Sequence, residues 1–302
     1  MRYYPEGFCN YPSKFTKEFL LRAMNSGTVL EGLALAYDGG QLKLKLGDFD
    51  AFIPHDECAE GVREGKTRDI GVMTRVGRSV SFVITGFCDG EKPLFTLSRA
   101  KAQRLCKAEY IDTLEYGDIL PCRVTHLEKF GAFCDVGCGI AALLPIDCIS
   151  VSRIEHPRDR LFAGQTIYCA VKSRDNEGRL VLTMKELWGT WSENAAKFSA
   201  GDTVIGVVRS RETYGVFVEL TPNLAGLAED CGDVMPGQAV SVYIKSIAPE
   251  KMKTKLIILR TLEKSATPVF DPPRPEYKHI DKWIYSPDGC ERIIKTVFVD
   301  DL

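Results

Sequence analysis

The sequence predicts an all-β chain of three tandem five-stranded barrels joined by short helices. Two observations carry this expectation. A Gly-opened pattern returns at starts 90 and 84 residues apart, at Gly27, Gly117 and Gly201. Inside each copy, about five short runs of alternating or β-branched residues are separated by Gly, Asp and Pro turns. Five short strands cannot cover two sheet faces, and a sandwich needs about seven per domain, whereas rolling them into a barrel removes the exposed edges.

The opening run Gly117-Asp118-Ile119-Leu120-Pro121-Cys122-Arg123-Val124 is answered by Gly201-Asp202-Thr203-Val204-Ile205-Gly206-Val207-Val208, and more loosely from Gly27 to Gly32. An aromatic-Gly-x-Phe run follows in the two later copies, Phe130-Gly131-Ala132-Phe133 and Tyr214-Gly215-Val216-Phe217. Gly77, Gly164 and Gly237 each open another alternating run, and short apolar strands close the copies at Leu94 to Leu97, Leu180 to Thr183 and Leu256 to Leu259. Helix formers occupy the intervals. Helices are expected from Lys14 to Met24 with Ser13 as cap, from Ser98 to Ala108, and in the stretch from Lys185 to Phe198. The organisation is then an N-terminal extension (1–26), repeats at 27–104, 117–187 and 201–263, helical linkers at 105–116 and 188–200, and a tail at 264–302. In that tail the Pro-rich segment from Thr267 to Pro275 reads as extended, and Trp283, Tyr285, Ile293, Ile294, Val297 and Val299 read as a short hairpin that packs back.

Composition narrows the function. With 39 Lys and Arg against 41 Asp and Glu, the chain has no overall positive field, so any nucleic-acid binding must come from local patches and stacking. Eleven scattered cysteines without a Cys-x-x-Cys pair read as reduced, mostly buried thiols, and no metal site or cofactor is expected. No apolar run approaches the roughly 20 residues of a membrane span, and the N-terminus lacks a signal-peptide core, so a cytoplasmic location and no membrane partner are expected.

The middle copy, from Gly117 to Leu187, resembles the S-one domain, the RNA-binding OB-fold named after the largest protein of the bacterial small ribosomal subunit. The resemblance rests on the Gly-Asp opening, Phe130-Gly131-Ala132-Phe133, Gly137, Leu143-Leu144-Pro145, Gly164-Gln165 and Gly178-Arg179-Leu180-Val181-Leu182-Thr183. The third copy looks like the same domain with shorter loops; the first looks like a divergent member, through Phe52-Ile53-Pro54, Gly77 and Leu97-Ser98-Arg99. The resemblance implies a monomer that binds single-stranded RNA, in a ribosomal-protein-like role on mRNA, with repeat 1 docking on the small ribosomal subunit.

OB-folds bind single strands by stacking bases on surface rings while basic side chains follow the backbone. In the middle copy the candidate residues are therefore Phe130 and Phe133 with Arg123, His126 and Lys129, beside Lys172, Arg174 and Arg179; the resemblance favours Asp175 and Arg179. Strict alternation puts Phe130 and Phe133 on opposite faces, an objection that a bulge at Gly131 would remove. In the third copy the candidates are Tyr214, Phe217, Arg209, Arg211, Lys253 and Lys255, with Lys251 in the same basic turn. In the first copy, spacing puts Gly40 where Phe130 stands and Lys43 where Phe133 stands, so it lacks rings and reads as a docking module. Pro145 stands where the family often has a histidine. The sequence has no phosphate loop, nucleophile elbow or His-Glu-x-x-His motif, so it is not expected to be an enzyme. The rival readings are a protein adaptor that has lost RNA binding and an RNA-binding regulator acting off the ribosome.

Overall fold

The computed structural model describes residues 3–8, 15–65, 69–229, 232 and 234–298. Three closed five-stranded barrels follow one another. Barrel 1 contains β1 (Leu30–Asp38), β2 (Gln41–Leu46), β3 (Phe49–Pro54), β4 (Ser79–Cys88) and β5 (Leu94–Ser98). Barrel 2 contains β6 (Ile119–Glu128), β7 (Gly131–Asp135), β8 (Ala141–Pro145), β9 (Thr166–Arg174) and β10 (Leu180–Thr183). Barrel 3 contains β11 (Thr203–Glu212), β12 (Gly215–Thr221), β13 (Leu224–Ala228), β14 (Ala239–Ala248) and β15 (Lys253–Thr261). In each, the first three strands form a meander, the fifth returns parallel to the third, and the fourth closes the ring between fifth and first. The OB-fold expectation holds for all three copies.

Alternation drives the closure. In β2, Leu42, Leu44 and Leu46 turn into the barrel while Lys43 and Lys45 turn out. The long first strand bends round to meet both neighbours, and a bulge makes that possible: the β11 register steps from Val208↔Val218 to Ser210↔Phe217, leaving Arg209 unpaired.

The helices differ in detail from expectation. α1 spans Lys17–Ser26, capped by Thr16, whose Oγ1 accepts from Phe19 N, and ended by Gly27 in the left-handed region at φ 63°. The expected start, Ser13 and Lys14, lies outside the described residues. Short α2 (Asp69–Met73) precedes β4, and α3 (Arg99–Glu109) is capped by Ser98 as expected, running across the boundary expected between residues 104 and 105. The single helical stretch expected from Lys185 to Phe198 is instead one 3-10 turn, Lys185–Trp188, and α4 (Trp191–Ala195), because Gly189 at φ 85° breaks the chain between them.

The chain divides into two compact units, residues 1–114 with 121–123 and 135–141, and residues 115–120 with 124–134 and 142–302. In the first, Glu6 is buried and takes Arg99 Nε at 2.7 Å and Ser81 N at 3.0 Å, while Asp135 accepts from the backbone N of Glu6, Gly137 and Gly139. In the second, the fully buried Glu219 holds Arg160 by two bonds of 2.9 and 2.7 Å and Arg209 Nε at 2.9 Å. The tail belongs to the second unit. Residues 267–275 carry no helix or strand, and β16 (Lys282–Ile284) pairs antiparallel with β17 (Lys295–Val297), the expected hairpin; Val299 is outside the described residues. Trp283 and Tyr285 enter the barrel 3 core, and Ile280 N bonds Gly117 O on the edge of barrel 2. A Cβ on Gly117 would lie 2.1 Å from Ile280 O, so only glycine admits the tail there. Nine described cysteines are free thiols, seven of them buried.

Two outcomes follow for stability. Glu219→Ala strands two guanidinium groups in a buried site and should lower unfolding free energy by about 3–5 kcal/mol, read by urea denaturation; a loss under about 1 kcal/mol would contradict this account. His279 Nδ1 pairs with Asp118 Oδ1 at 2.7 Å, and that bond raises the imidazole pKa above 6.5. A raised folded pKa means the pair stabilises fully below about pH 6.5 and fades as pH rises through the folded value. The melting-temperature gap between wild type and His279→Gln should therefore be larger at acid than at alkaline pH.

Candidate nucleic-acid interface

The aromatic-Gly-x-Phe runs build the same local geometry twice. β6 ends at Glu128 and β7 begins at Gly131, so Phe130 is the second residue of a two-residue loop; Tyr214 holds that place between β11 and β12. Each ring projects outward, 56% and 67% exposed, and meets the edge of the half-buried phenylalanine three residues on. Centroids are 6.0 Å apart at 89° for Phe130 and Phe133, and 6.1 Å apart at 89° for Tyr214 and Phe217. The rings meet because the first lies in the turn rather than in the strand, so strand alternation does not separate them. Glycine is needed for closeness. A Cβ on Gly131 would lie 2.5 Å from Leu144 O, and one on Gly215 would lie 2.5 Å from Ala228 O.

The register extends each pair into an outer row. Phe217 is paired with Leu227, Leu227 with Lys255, and Lys255 with Ser246. The corresponding row of barrel 2 runs from Phe133 to Leu143, Val181 and Ser173, the last three paired across β8, β10 and β9. In barrel 1 it is Lys43, Phe52, Thr96 and Gly86. Lys43 thus stands where spacing put it, exposed and 2.7 Å from Asp38. The first hairpin of barrel 1 turns on Gly39 and Gly40, at φ 58° and 73°, a left-handed pair that supplies no side chain where the later barrels carry rings.

The basic candidates divide by environment. Lys253 and Lys255 are exposed on β15, Lys251 in the turn before it, and Lys129 beside Phe130. Arg211 is exposed and donates to Gly232 O at 2.9 Å. Half-buried Arg123 donates to Gly7 O at 2.8 Å, and exposed His126 lies 2.7 Å from Glu128. Arg179 is shared between Asp175 at 2.7 Å and Glu177 at 3.0 Å, and its bonds hold the Asp175 carboxyl below the usual carboxylate range. Arg174 reaches back to Gly178 O at 3.5 Å, and Lys172 donates to Cys148 Sγ at 3.1 Å. Arg209 departs from expectation. As the unpaired bulge residue it turns onto Glu219, only 10% of its side chain is exposed, and it serves the buried ion cluster rather than the surface.

Residues 113–185 match the S1 RNA binding domain model. The chain is 40% identical over 124 residues to the small ribosomal subunit protein bS1 homolog of Bacillus subtilis, covering 40% of this chain and 32% of that protein. It is 31% identical over 194 residues to bS1 of Staphylococcus epidermidis, covering 58% of this chain and 49% of that protein. The chain thus carries one matched S1 RNA binding domain, at barrel 2, and is similar to bS1 proteins over part of its length. It spans half or less of the length of these two relatives. Among solved structures, a multidomain protein with nucleic acid binding domains from Streptococcus pneumoniae aligns over 78% of this chain and 74% of its own, with a TM-score of 0.26 and 14% identity. The S1 domain match falls on barrel 2, the barrel of Phe130 and Phe133.

Removing the outer ring tests whether the platform and the core are separable. Phe130→Ala and Tyr214→Ala should leave melting temperature nearly unchanged, whereas Val124→Ala, at a fully buried position, should lose stability through a cavity. Unfolding of Phe130→Ala would overturn the placement of that ring on the outer face.

Proposed function

We propose that this chain, which carries an S1 RNA binding domain, binds single-stranded RNA on the ring-bearing faces of barrels 2 and 3, in a ribosomal-protein-like role on mRNA. The observation that carries this reading is the duplicated platform, an exposed ring buttressed edge-on by a second, at matching positions of two barrels. A base stacked on such a ring gains about 1–3 kcal/mol whatever its identity, which suits a protein that follows unpaired message without a fixed sequence. Lys253, Lys255 and Lys129 flank the rings and supply the backbone contacts. Barrel 1 has Lys43 in place of a ring, paired with Asp38, and is assigned to docking, with the small ribosomal subunit as its proposed partner.

Fluorescence anisotropy with labelled oligoribonucleotides provides the test. Unpaired pyrimidine or A/U-rich strands should bind better than a hairpin stem, because pairing hides the faces that stack. Phe130→Ala and Tyr214→Ala should each weaken binding about 5- to 150-fold, and Lys43→Ala should hardly change it. With a net charge of −2, the slope of log affinity against log salt should be shallower than about −6. Equal affinity for stem and single strand, or no binding at all, would favour a protein adaptor instead.

A further inference from the structure

Beyond the platform of barrel 2 lies a cleft of about 540 Å³ that none of the ring geometry accounts for. It begins one hydrogen bond from the platform: Ile146 N donates to Phe130 O at 2.9 Å, and Ile146 and Asp147 line its near side. Ile154 and the tail residues Trp283 and Ile294 give it apolar walls, while Arg153 and Lys185 bring two cations to it. Among the described residues neither Arg153 nor Lys185 is in an ion pair, in contrast to Arg179 and Arg209.

The walls are held in place. The loop bearing Arg153 is fixed immediately before it, where Val151 N donates to Asn223 Oδ1 at 2.9 Å, Ser152 N to Pro222 O at 3.0 Å and Ser152 Oγ to Thr221 O at 3.2 Å. The tail hairpin is tied by Tyr285 OH to Asn223 O at 2.6 Å and by Thr296 Oγ1 to Glu186 Oε1 at 2.7 Å. A cleft with fixed apolar walls, two cations against one carboxylate, and a lining residue bonded to the backbone of Phe130 has the chemistry of a nucleotide subsite: room for a base between apolar surfaces and charge for the phosphate that links it to its neighbour.

We propose that this cleft is a second nucleotide subsite, occupied by the part of a single-stranded RNA that continues past the base stacked on Phe130, with Arg153 and Lys185 on its phosphates. The proposal rests on the RNA-binding reading above, and it gives the C-terminal hairpin a role as one wall of the RNA path.

The test uses the full chain and oligouridylates from about 4 to about 16 nucleotides, the range of site sizes on OB-folds. For wild type, affinity should rise with length as the strand reaches from platform to cleft. The double variant Arg153→Ala/Lys185→Ala should keep wild-type affinity for the shortest strands. For the longer ones it should lose about tenfold at 0.15 M salt and show a salt slope shallower by about 1.4, as expected for two single-strand phosphate contacts. Phe130→Ala should weaken strands of every length. If Phe130→Ala weakens binding while the double variant matches wild type at every length, the cleft proposal is wrong and the RNA-binding reading stands. An equal loss at all lengths in the double variant, or a loss only of protein-partner binding, also overturns it. If no RNA binds to wild type, the underlying reading fails first.

Discussion

Two backbones in each of the later barrels approach too closely to admit a side chain between them, and the rest of the surface is arranged around that contact. At Gly131 and Gly215 a single added carbon would sit 2.5 Å from a carbonyl of the next strand. The approach brings β7 against β8, and β12 against β13, directly after a two-residue loop, so the last loop residue must project away from the barrel. A ring at that place becomes an exposed platform, and a phenylalanine two residues after the glycine falls on the outer row beneath its edge. Barrel 1 shows the alternative. Its first hairpin turns through Gly39 and Gly40 in left-handed geometry, and the platform position has no side chain. Three copies of one topology thus present two kinds of surface through a glycine pair in one turn and Lys43 in place of the buttressing phenylalanine.

The second constraint is buried charge. Glu219 is buried on β12 and gathers Arg209 from its own barrel and Arg160 from the connection between β8 and β9 of barrel 2. Desolvating such a cluster is costly, and apolar residues of similar volume would often stabilise as much, so its contribution lies in position more than in net free energy. A carboxylate that accepts several oriented donors tolerates only one arrangement of the elements bearing them. Asn223 adds to this: its side chain bonds Val151 N, Lys185 O and Gly189 O, and its own carbonyl takes the Tyr285 hydroxyl. A single asparagine therefore holds a loop of barrel 2, the connection between barrels and the tail.

Much of the fold was legible because its signals are local. The Gly-Asp openings, the alternating runs led by Gly77, Gly164 and Gly237 and the aromatic-Gly-x-Phe runs each depend on neighbours within a few residues, and they located strands, barrels and both ring pairs. The register of Lys43 against Phe52 agrees with the place given it by spacing alone. What could not be read depends on distant partners. Arg209 looks like a surface cation beside a ring until the bulge turns it onto the buried Glu219, ten residues away in sequence and on the neighbouring strand. The 3-10 turn from Lys185 to Trp188 has helix-forming composition, but Gly189 ends it, and Asn223 draws the carbonyls of Lys185 and Gly189 away from helical partners. The cleft beside Phe130 had no signature at all, because its walls come from segments more than a hundred residues apart.

On the proposed reading, near-neutral charge and paired rings are parts of one solution. A strongly basic surface would hold any polyanion and would lose its grip steeply as salt rises. A chain with 39 basic and 41 acidic residues has little such attraction, so contacts that act only at short range must supply the affinity. Edge-on packing prepares the rings for that task. With Phe133 and Phe217 fixed in their outer rows, Phe130 and Tyr214 are already held when a base arrives, and less side-chain entropy is lost on stacking. Duplex RNA offers phosphates but no free faces, so this balance discriminates by strand state rather than by sequence, through geometry that the two glycines impose before any RNA is present.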